Sequence, residues 1–200
     1  MYQYNDDSLM LHNDLYQINM AESYWNDGIH ERIAVFDLYF RKMPFNSGYA
    51  VFNGLKRVVN FIENFGFTNE DITYLKSIGY EEDFLNYLKD LKFTGNIKSM
   101  QEGEICFGNE PLLRVEAPLI QAQLIETILL NIINFQTLIA TKASRIRQIA
   151  THDTLMEELK RSMLHCGALE QPLLEGLILQ VMLEQENFLI YLYLAHMHTH

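Results

Sequence analysis

The chain has 200 residues, of which 48% are hydrophobic and 20% charged, and its formal net charge is -11. This length predicts one domain, or one domain and part of a second, and the composition is typical of a folded globular protein. The acidic balance excludes a broad nucleic-acid surface, which needs a basic face. A local basic pocket for an anionic small molecule stays compatible with it.

The cysteine count, the first ten residues and the lengths of the apolar runs indicate a cytoplasmic, reduced protein. Two cysteines are too few for a disulfide framework. The first ten residues have neither the basic nor the apolar region of a signal peptide. The longest uninterrupted apolar runs, such as residues 188–195, are far shorter than the roughly 20 residues that span a bilayer. We therefore expect no membrane segment.

The first predicted helix covers residues 13–27. Asn13 is a suitable N-cap, Asp14 complements the positive end of the helix, and Gly28 is a plausible stop. Strands are predicted at 32–41 and 49–52, on either side of a turn at 44–48.

Three helices are predicted next, the first opening after Gly54. Its inward face is predicted to consist of Leu55, Val58, Val59, Ile62 and Phe65. Thr68 and Asp71 predict a capping box for a helix to about Ile78, with Gly79 as its stop. The third helix is predicted to turn Phe84, Leu85, Leu88 and Leu91 inward.

The second half switches to strands and then to one long helix. The strands are predicted at 97–100, 104–107 and 112–116, with Gly103 and the Gly108-Asn109 pair in the turns. Pro118 precedes a helix from Leu119 to about Ala150. We assign its basic end (Lys142, Arg145 and Arg147) to compensation of the helix dipole. Residues 155–156 could start a new strand.

Several segments resemble bacterial nicotinate phosphoribosyltransferases between about residue 8 and Met156. These are LHNDLYQINM at 11–20, FDLYFRKMP at 36–44, GYAVFNG at 48–54, GNEPLLRVEAP at 108–118 and LNIINFQTLIATKASRIRQI at 130–149. The family usually has Thr where this chain has Asn13. Each motif alone is weak, and the combination is specific.

The resemblance implies an α/β protein in which an α+β sandwich domain is followed by the start of an incomplete α/β barrel. We place the sandwich at 1–118 and the beginning of the barrel at 119–156. It also implies an enzyme that joins nicotinate to phosphoribosyl pyrophosphate with ATP hydrolysis and Mg²⁺, and a homodimer whose active site borrows a tyrosine from the partner subunit. That tyrosine corresponds to Tyr16, which would stack on the nicotinate ring, with Asp14 beside it. A partly buried helix tyrosine and a helix-capping charge are the structural alternatives for these two residues.

The likeness ends at Met156, where the family continues with a Phe-Gly-Thr-Arg-Arg type of segment. Joining the last base of each codon to the first two of the next lets residues 180–187 encode Ser-Asn-Val-Arg-Ala-Gly-Lys, and 194–200 encode Gly-Thr-His-Ala-His-Ser. Both segments occur in the family's barrel in this order. We hypothesise a frameshift near Glu157 and an out-of-frame tail at 157–200. The family's barrel arginines, phosphorylated histidine and phosphate-binding glycines would then be absent.

Two features of the tail suggest sites that the frameshift hypothesis explains more simply. His196, His198 and His200 alternate as metal ligands on a strand would, but they lie at a chain terminus. Cys166 follows His165, although adjacent side chains rarely point together. We therefore predict no catalytic or metal-binding residue in this chain. Two functions remain open: the phosphoribosyltransferase, or an inactive fragment or non-catalytic interaction module of the same family.

Overall fold

A computed structural model describes residues 6–149 of the chain. The described α-helices are α1 (Leu15–Asn26), α2 (Leu55–Glu63), α3 (Asn69–Ser77), α4 (Glu82–Asp90) and α5 (Leu119–Ile149). The strands are β1 (Ile33–Leu38), β2 (Ala50–Val51), β3 (Asn96–Ser99), β4 (Ile105–Cys106) and β5 (Leu113–Pro118), and 3-10 turns lie at Asp6–Leu11 and Pro44–Asn46. The predicted order of elements and the α/β class are confirmed, while the beginning of a barrel stays a prediction.

The chain divides into two compact units. Among the described residues, the first unit contains 6–39, 54–99 and 111–133, and the second contains 40–53, 100–110 and 134–149. The predicted domain boundaries at 118 and 156 stay predictions.

The sheet of the first unit is antiparallel, with strand order β1-β5-β3. Val35 lies opposite Glu116, and Ile97 lies opposite Val115. Along β5 the burial alternates: Leu113, Val115 and Ala117 are buried, whereas Arg114 and Glu116 between them are exposed. One face of the sheet therefore belongs to the core and the other is open.

The beginning of α5 is held by backbone carbonyls that precede β1. The Leu119 N–H donates to the Arg32 oxygen at 2.8 Å, and the Ile120 N–H donates to the His30 oxygen at 3.3 Å. These bonds satisfy donors that an isolated helix leaves unpaired. Pro118, at the end of β5, leads directly into this helix.

The length and composition of α5 bear on the expectation that the chain has no membrane segment, which stays a prediction. Within the described part of the chain, the helical stretch Leu119–Arg145 is long and apolar enough to cross a membrane, by length and composition only. The expectation from the sequence rested only on uninterrupted apolar runs, which are shorter. In its apolar window 61% of the residues are buried, as in the core helix of a soluble protein. The polar residues that interrupt the apolar runs do not remove it from the core.

The helices α2 to α4 follow local signals, with one error. The predicted capping box is confirmed, because the Asp71 N–H donates to Thr68 Oγ1 at 3.1 Å and the Thr68 N–H donates to Asp71 Oδ2 at 2.8 Å. The predicted inward face of α2 is wrong at Val59, which is 46% exposed, while Phe61 is buried. Phe61 makes an edge-to-face contact with Phe65 at 6.2 Å between ring centroids.

In the second unit, β2 pairs with β4, with Ala50 opposite Cys106 and Val51 opposite Ile105. The strands predicted at 49–52 and 104–107 are thus shorter than expected. Asn109 adopts a positive φ of 64°, which suits the predicted turn. Val51 is buried together with Ala140 and Ala143 of α5, and the Tyr49 ring packs against them.

Candidate functional site

Tyr16 lies in the first turn of α1, and 54% of its surface is exposed. Met20, one helical turn later, is 37% exposed and shares its face of the helix. Leu15 is 57% exposed. The beginning of α1 therefore presents an aromatic ring with apolar neighbours to solvent, where a flat ligand could reach it.

Asp14 is the N-cap of α1, and this corrects the prediction that Asn13 would be. Its backbone is extended, with φ of −67° and ψ of 139°. Its side chain is exposed two residues before Tyr16. The structure thus brings the two predicted site residues together at one end of one helix, and the Asp14 carboxylate complements the positive helix end.

Asn13 instead anchors the segment before α1. Its Nδ2 donates to the carbonyl oxygens of Met10 at 3.0 Å and Leu124 at 2.8 Å. The second bond joins the beginning of α1 to α5, 111 residues later in the chain. Asn13, which stands where the family usually has Thr, therefore makes a long-range contact.

Gln17 makes a second connection to α5 that the sequence analysis missed. Its side chain is fully buried, donates from Nε2 to Glu126 Oε2 at 3.3 Å, and accepts from Thr127 Oγ1 at 2.7 Å. Its Oε1 also accepts the Asp14 N–H at 3.3 Å. The available signal was its place three residues after the N-cap, where Gln or Glu typically reaches back to that N–H.

Arg145, in the basic end of α5, has a packing role in the second unit. Its guanidinium lies 5.5 Å from the ring centroid of Phe45 and 5.3 Å from that of Tyr49. Its Nη2 also donates to the backbone carbonyl oxygen of Tyr49 at 3.2 Å. Cation–π contacts on two rings hold this side chain. The sequence predicted only compensation of the helix dipole for Arg145, and these contacts add a packing role.

The first unit also contains a cavity of about 90 Å³ between β1, β5 and α5. Its lining is mainly apolar and includes Phe36, Leu113, Ile125 and Leu129. This volume is well below the several hundred cubic ångströms of ordinary cofactor pockets. We assign no ligand to it.

The described residues contain no group of three or more His, Cys, Asp or Glu that could hold a metal ion. Several earlier interpretations lie outside residues 6–149: the strand at 155–156, the tail at 157–200, the histidines near the end, and the pair His165 and Cys166.

The fold and the helix that carries Tyr16 belong to a mixed α/β domain. The family model for the nicotinate phosphoribosyltransferase N-terminal domain matches residues 11–134. The chain therefore belongs to the nicotinate phosphoribosyltransferase family, which confirms the resemblance seen in its motifs.

Curated relatives agree with this assignment. The chain is 59% identical over 157 residues to the nicotinate phosphoribosyltransferase of Bacillus subtilis, covering 78% of this chain and 32% of that protein. It is 43% identical over 148 residues to that of Dictyostelium discoideum, covering 72% and 25%. The chain thus spans about a third or less of the length of these relatives.

Solved structures support the same fold. Human nicotinic acid phosphoribosyltransferase superposes with a TM-score of 0.66 at 35% identity, over 70% of this chain and 29% of the human chain. Nicotinate-nucleotide pyrophosphorylase from Pyrococcus furiosus superposes with a TM-score of 0.54 at 19% identity, over 74% and 30% of the two chains. The second likeness is one of fold alone.

Proposed function

We propose that this chain supplies the nicotinate-contacting part of a nicotinate phosphoribosyltransferase. In the proposed reaction the ring nitrogen of nicotinate attacks the ribose C1 of phosphoribosyl pyrophosphate. The bond from C1 to the pyrophosphate oxygen breaks, and pyrophosphate leaves with the bonding electrons. The product is nicotinate mononucleotide, a precursor in NAD biosynthesis. The name and 59% identity of the Bacillus subtilis relative support this assignment.

The observation that carries the proposal is the half-exposed Tyr16 ring on a helix whose first turn is tied to α5. A flat heteroaromatic ring stacks on a phenol ring in an offset arrangement, which contributes about 0.5–1.5 kcal/mol beyond the buried area. Asp14 adds a negative charge nearby. Because like charges repel, we propose that it orients nicotinate with the substrate carboxylate pointing away.

The resemblance to the family also implies ATP and Mg²⁺, and the described residues assign no site to either group. Mg²⁺ prefers an octahedral set of oxygen ligands, commonly one or two carboxylates with phosphates and water. Residues 6–149 form no cluster of three or more potential ligands. We therefore derive no step through Mg²⁺ or ATP from this part of the chain.

The partners of several described cations favour a second candidate, an inactive fragment or non-catalytic module of the family. Departure of pyrophosphate needs cationic groups aimed at the developing charge. Several described cations have other partners: Arg114 pairs with Asp37, Lys76 pairs with Glu82, and Arg145 contacts two aromatic rings. One stacking tyrosine does not stabilise a leaving pyrophosphate.

The frameshift hypothesis bears on the second candidate. If the gene changes frame near Glu157, the bases that encode the tail contain the family's barrel motifs in another frame. Sequencing the gene tests this directly. An uninterrupted frame whose alternative translation lacks those motifs would contradict the hypothesis.

The decisive assay measures nicotinate mononucleotide formation by the purified 200-residue chain with nicotinate, phosphoribosyl pyrophosphate, Mg²⁺ and ATP. Saturation-transfer NMR measures nicotinate contact in parallel. The test variants are Tyr16→Ala and Tyr16→Phe. Tyr74→Ala is the matched control, because Tyr74 is 55% exposed on another helix.

Turnover that Tyr16→Ala reduces and Tyr74→Ala does not would support the enzyme. Contact that requires the Tyr16 ring, without any product, would support the non-catalytic candidate. If neither contact nor turnover changes in Tyr16→Ala, the proposed role of Tyr16 is wrong.

We further propose that the protein is cytoplasmic and forms a homodimer, so that the exposed Tyr16 ring serves the site of a partner subunit. Sedimentation analysis of the purified chain tests the oligomeric state. A monomer across the micromolar range would contradict the dimer.

A further inference from the structure

The amide of Gln17 has a single orientation that satisfies its neighbours. The Asp14 N–H can only donate, so the amide oxygen Oε1 must face it. An ionised Glu126 carboxylate can only accept, so the amide nitrogen Nε2 must face that carboxylate. The Thr127 hydroxyl completes the arrangement by donating to Oε1 at 2.7 Å. The fully buried Gln17 side chain thus joins Asp14, the N-cap of α1, to Glu126 and Thr127 of α5.

This arrangement acts on the residue before Gln17. Tyr16 is the second residue of α1, between the N-cap Asp14 and the buried Gln17. Backbone position and rotation within the first helical turn are fixed when both ends of that turn are fixed. We propose that Gln17, through Glu126 and Thr127, is a positioning residue that holds the Tyr16 ring in its outward orientation. The inference rests on the proposed contact between Tyr16 and nicotinate.

A buried amide is informative because an apolar side chain would anchor the helix without desolvation cost. Burial of a polar group is unfavourable unless its hydrogen bonds are made, and hydrogen bonds constrain direction in a way that apolar contact does not. The Glu126 carboxylate accepts one of these bonds at 3.3 Å. The network therefore supplies directional control where hydrophobic packing would supply only attachment.

The test reverses the polarity of one bond. In Gln17→Glu the new carboxylate still accepts from Thr127 and from the Asp14 N–H, but it faces the Glu126 carboxylate and repels it. In the double variant Gln17→Glu with Glu126→Gln, the amide and the carboxylate have exchanged places and the bond is restored. The matched control is Gln121→Glu. Gln121, in α5, is another buried glutamine, and its Nε2 donates to Thr94 Oγ1 at 3.2 Å.

Three readouts on the full chain separate positioning from stability. The NMR signals of the Tyr16 ring, assigned with Tyr16→Phe, report its orientation. Nicotinate titration reports the contact, and thermal unfolding followed by the single tryptophan, Trp25 of α1, reports stability. We expect Gln17→Glu to shift the Tyr16 signals and weaken apparent nicotinate affinity roughly three- to tenfold, with both restored in the double variant. Gln121→Glu is expected to lower the unfolding temperature without moving the Tyr16 signals.

The outcomes are distinguishable. If the Tyr16 signals stay unchanged in Gln17→Glu, or if Gln121→Glu moves them equally, Gln17 is a structural residue and the inference is overturned. If the signals shift and are rescued while the wild-type chain makes no contact with nicotinate through Tyr16, the positioning role stands. In that case the proposed function fails.

Discussion

Thr141 of α5 accepts the backbone N–H of Val51 at 2.9 Å and donates its own proton to the Thr137 oxygen at 2.6 Å. One turn earlier, Thr137 Oγ1 lies 3.2 Å from both the N–H and the carbonyl oxygen of Asn53. One turn later, Arg145 donates to the Tyr49 oxygen. Four helix residues rise about 6 Å and two strand residues about 6.8 Å, so the two spacings nearly match. Side chains of α5 thereby satisfy backbone N–H and carbonyl groups along residues 49–53, on the edge of β2 that does not pair with β4.

Thr141→Val is expected to destabilise the chain by about 1–3 kcal/mol, because the nearly isosteric side chain leaves the buried Val51 N–H without an acceptor. Urea unfolding followed by circular dichroism measures the change. Thr73→Val is the matched control, since Thr73 donates to the Asn69 oxygen at 2.7 Å on an exposed helix face. Equal losses in the two variants would contradict a special role for the bond to Val51.

The open face of the sheet carries a bidentate ion pair whose contribution depends on pH. Arg114 Nε lies 2.6 Å from Asp37 Oδ1, and Nη2 lies 2.8 Å from Oδ2. These hydrogen bonds hold the pKa of the Asp37 carboxyl below its usual range. The stabilisation is present above the ordinary aspartate pKa of about 3.9 and is lost as the pH falls through the lowered value.

We therefore expect wild type to be more stable than Asp37→Asn at neutral pH, and the difference to shrink below about pH 4. Denaturant unfolding of both proteins as a function of pH, at low salt, measures this difference. A carboxyl titration by NMR should give a higher Asp37 pKa in Arg114→Gln than in wild type. A stability difference that does not depend on pH would argue against the ion pair.

Gly95 precedes β3 at a point of close approach to β5. A Cβ added there would lie 2.4 Å from the Ala117 Cβ, 2.8 Å from the Glu116 oxygen and 2.9 Å from Phe93 Cζ. Gly95→Ala is expected to cost about 1–3 kcal/mol, because the strands must separate or the ring must move. Gly48→Ala, with nothing within 4 Å of the added carbon, is the control. Thermal unfolding should leave the control near wild type, and an equally stable Gly95→Ala would refute the close approach.

Burial raises the pKa of the Cys106 thiol to about 11, and this thiol donates to the Ala50 oxygen at 3.5 Å. Only the thiolate attacks disulfide reagents, so folded Cys106 should react at neutral pH roughly a hundredfold or more slowly than in the unfolded chain. The experiment uses a Cys166→Ser background and Ellman's reagent, with and without denaturant. Similar rates in the two conditions would indicate that Cys106 is accessible.

The sequence by itself determined the local features of this protein. The Thr68 and Asp71 capping box, the positive φ of Gly79 at 106°, and the entry of Pro118 into α5 each depend on a few neighbouring residues. The family was also readable from short motifs, because they combine along one stretch of chain. Tyr16 was singled out by its motif.

Only the tertiary structure decided how distant segments meet. In the strand order β1-β5-β3, the pairing of β1 with β5 joins residues about eighty positions apart, and no local pattern encodes that pairing. Asn13 and Asp14 both have side chains suited to an N-cap, and the bond of Asn13 to the distant Leu124 oxygen leaves Asp14 as the cap. Gln17 resembles a surface residue in the sequence because its acceptor and donor partners lie 109 and 110 residues away. Hydrogen bonds of a buried side chain depend on what packs against it, and this is decided only when the chain folds.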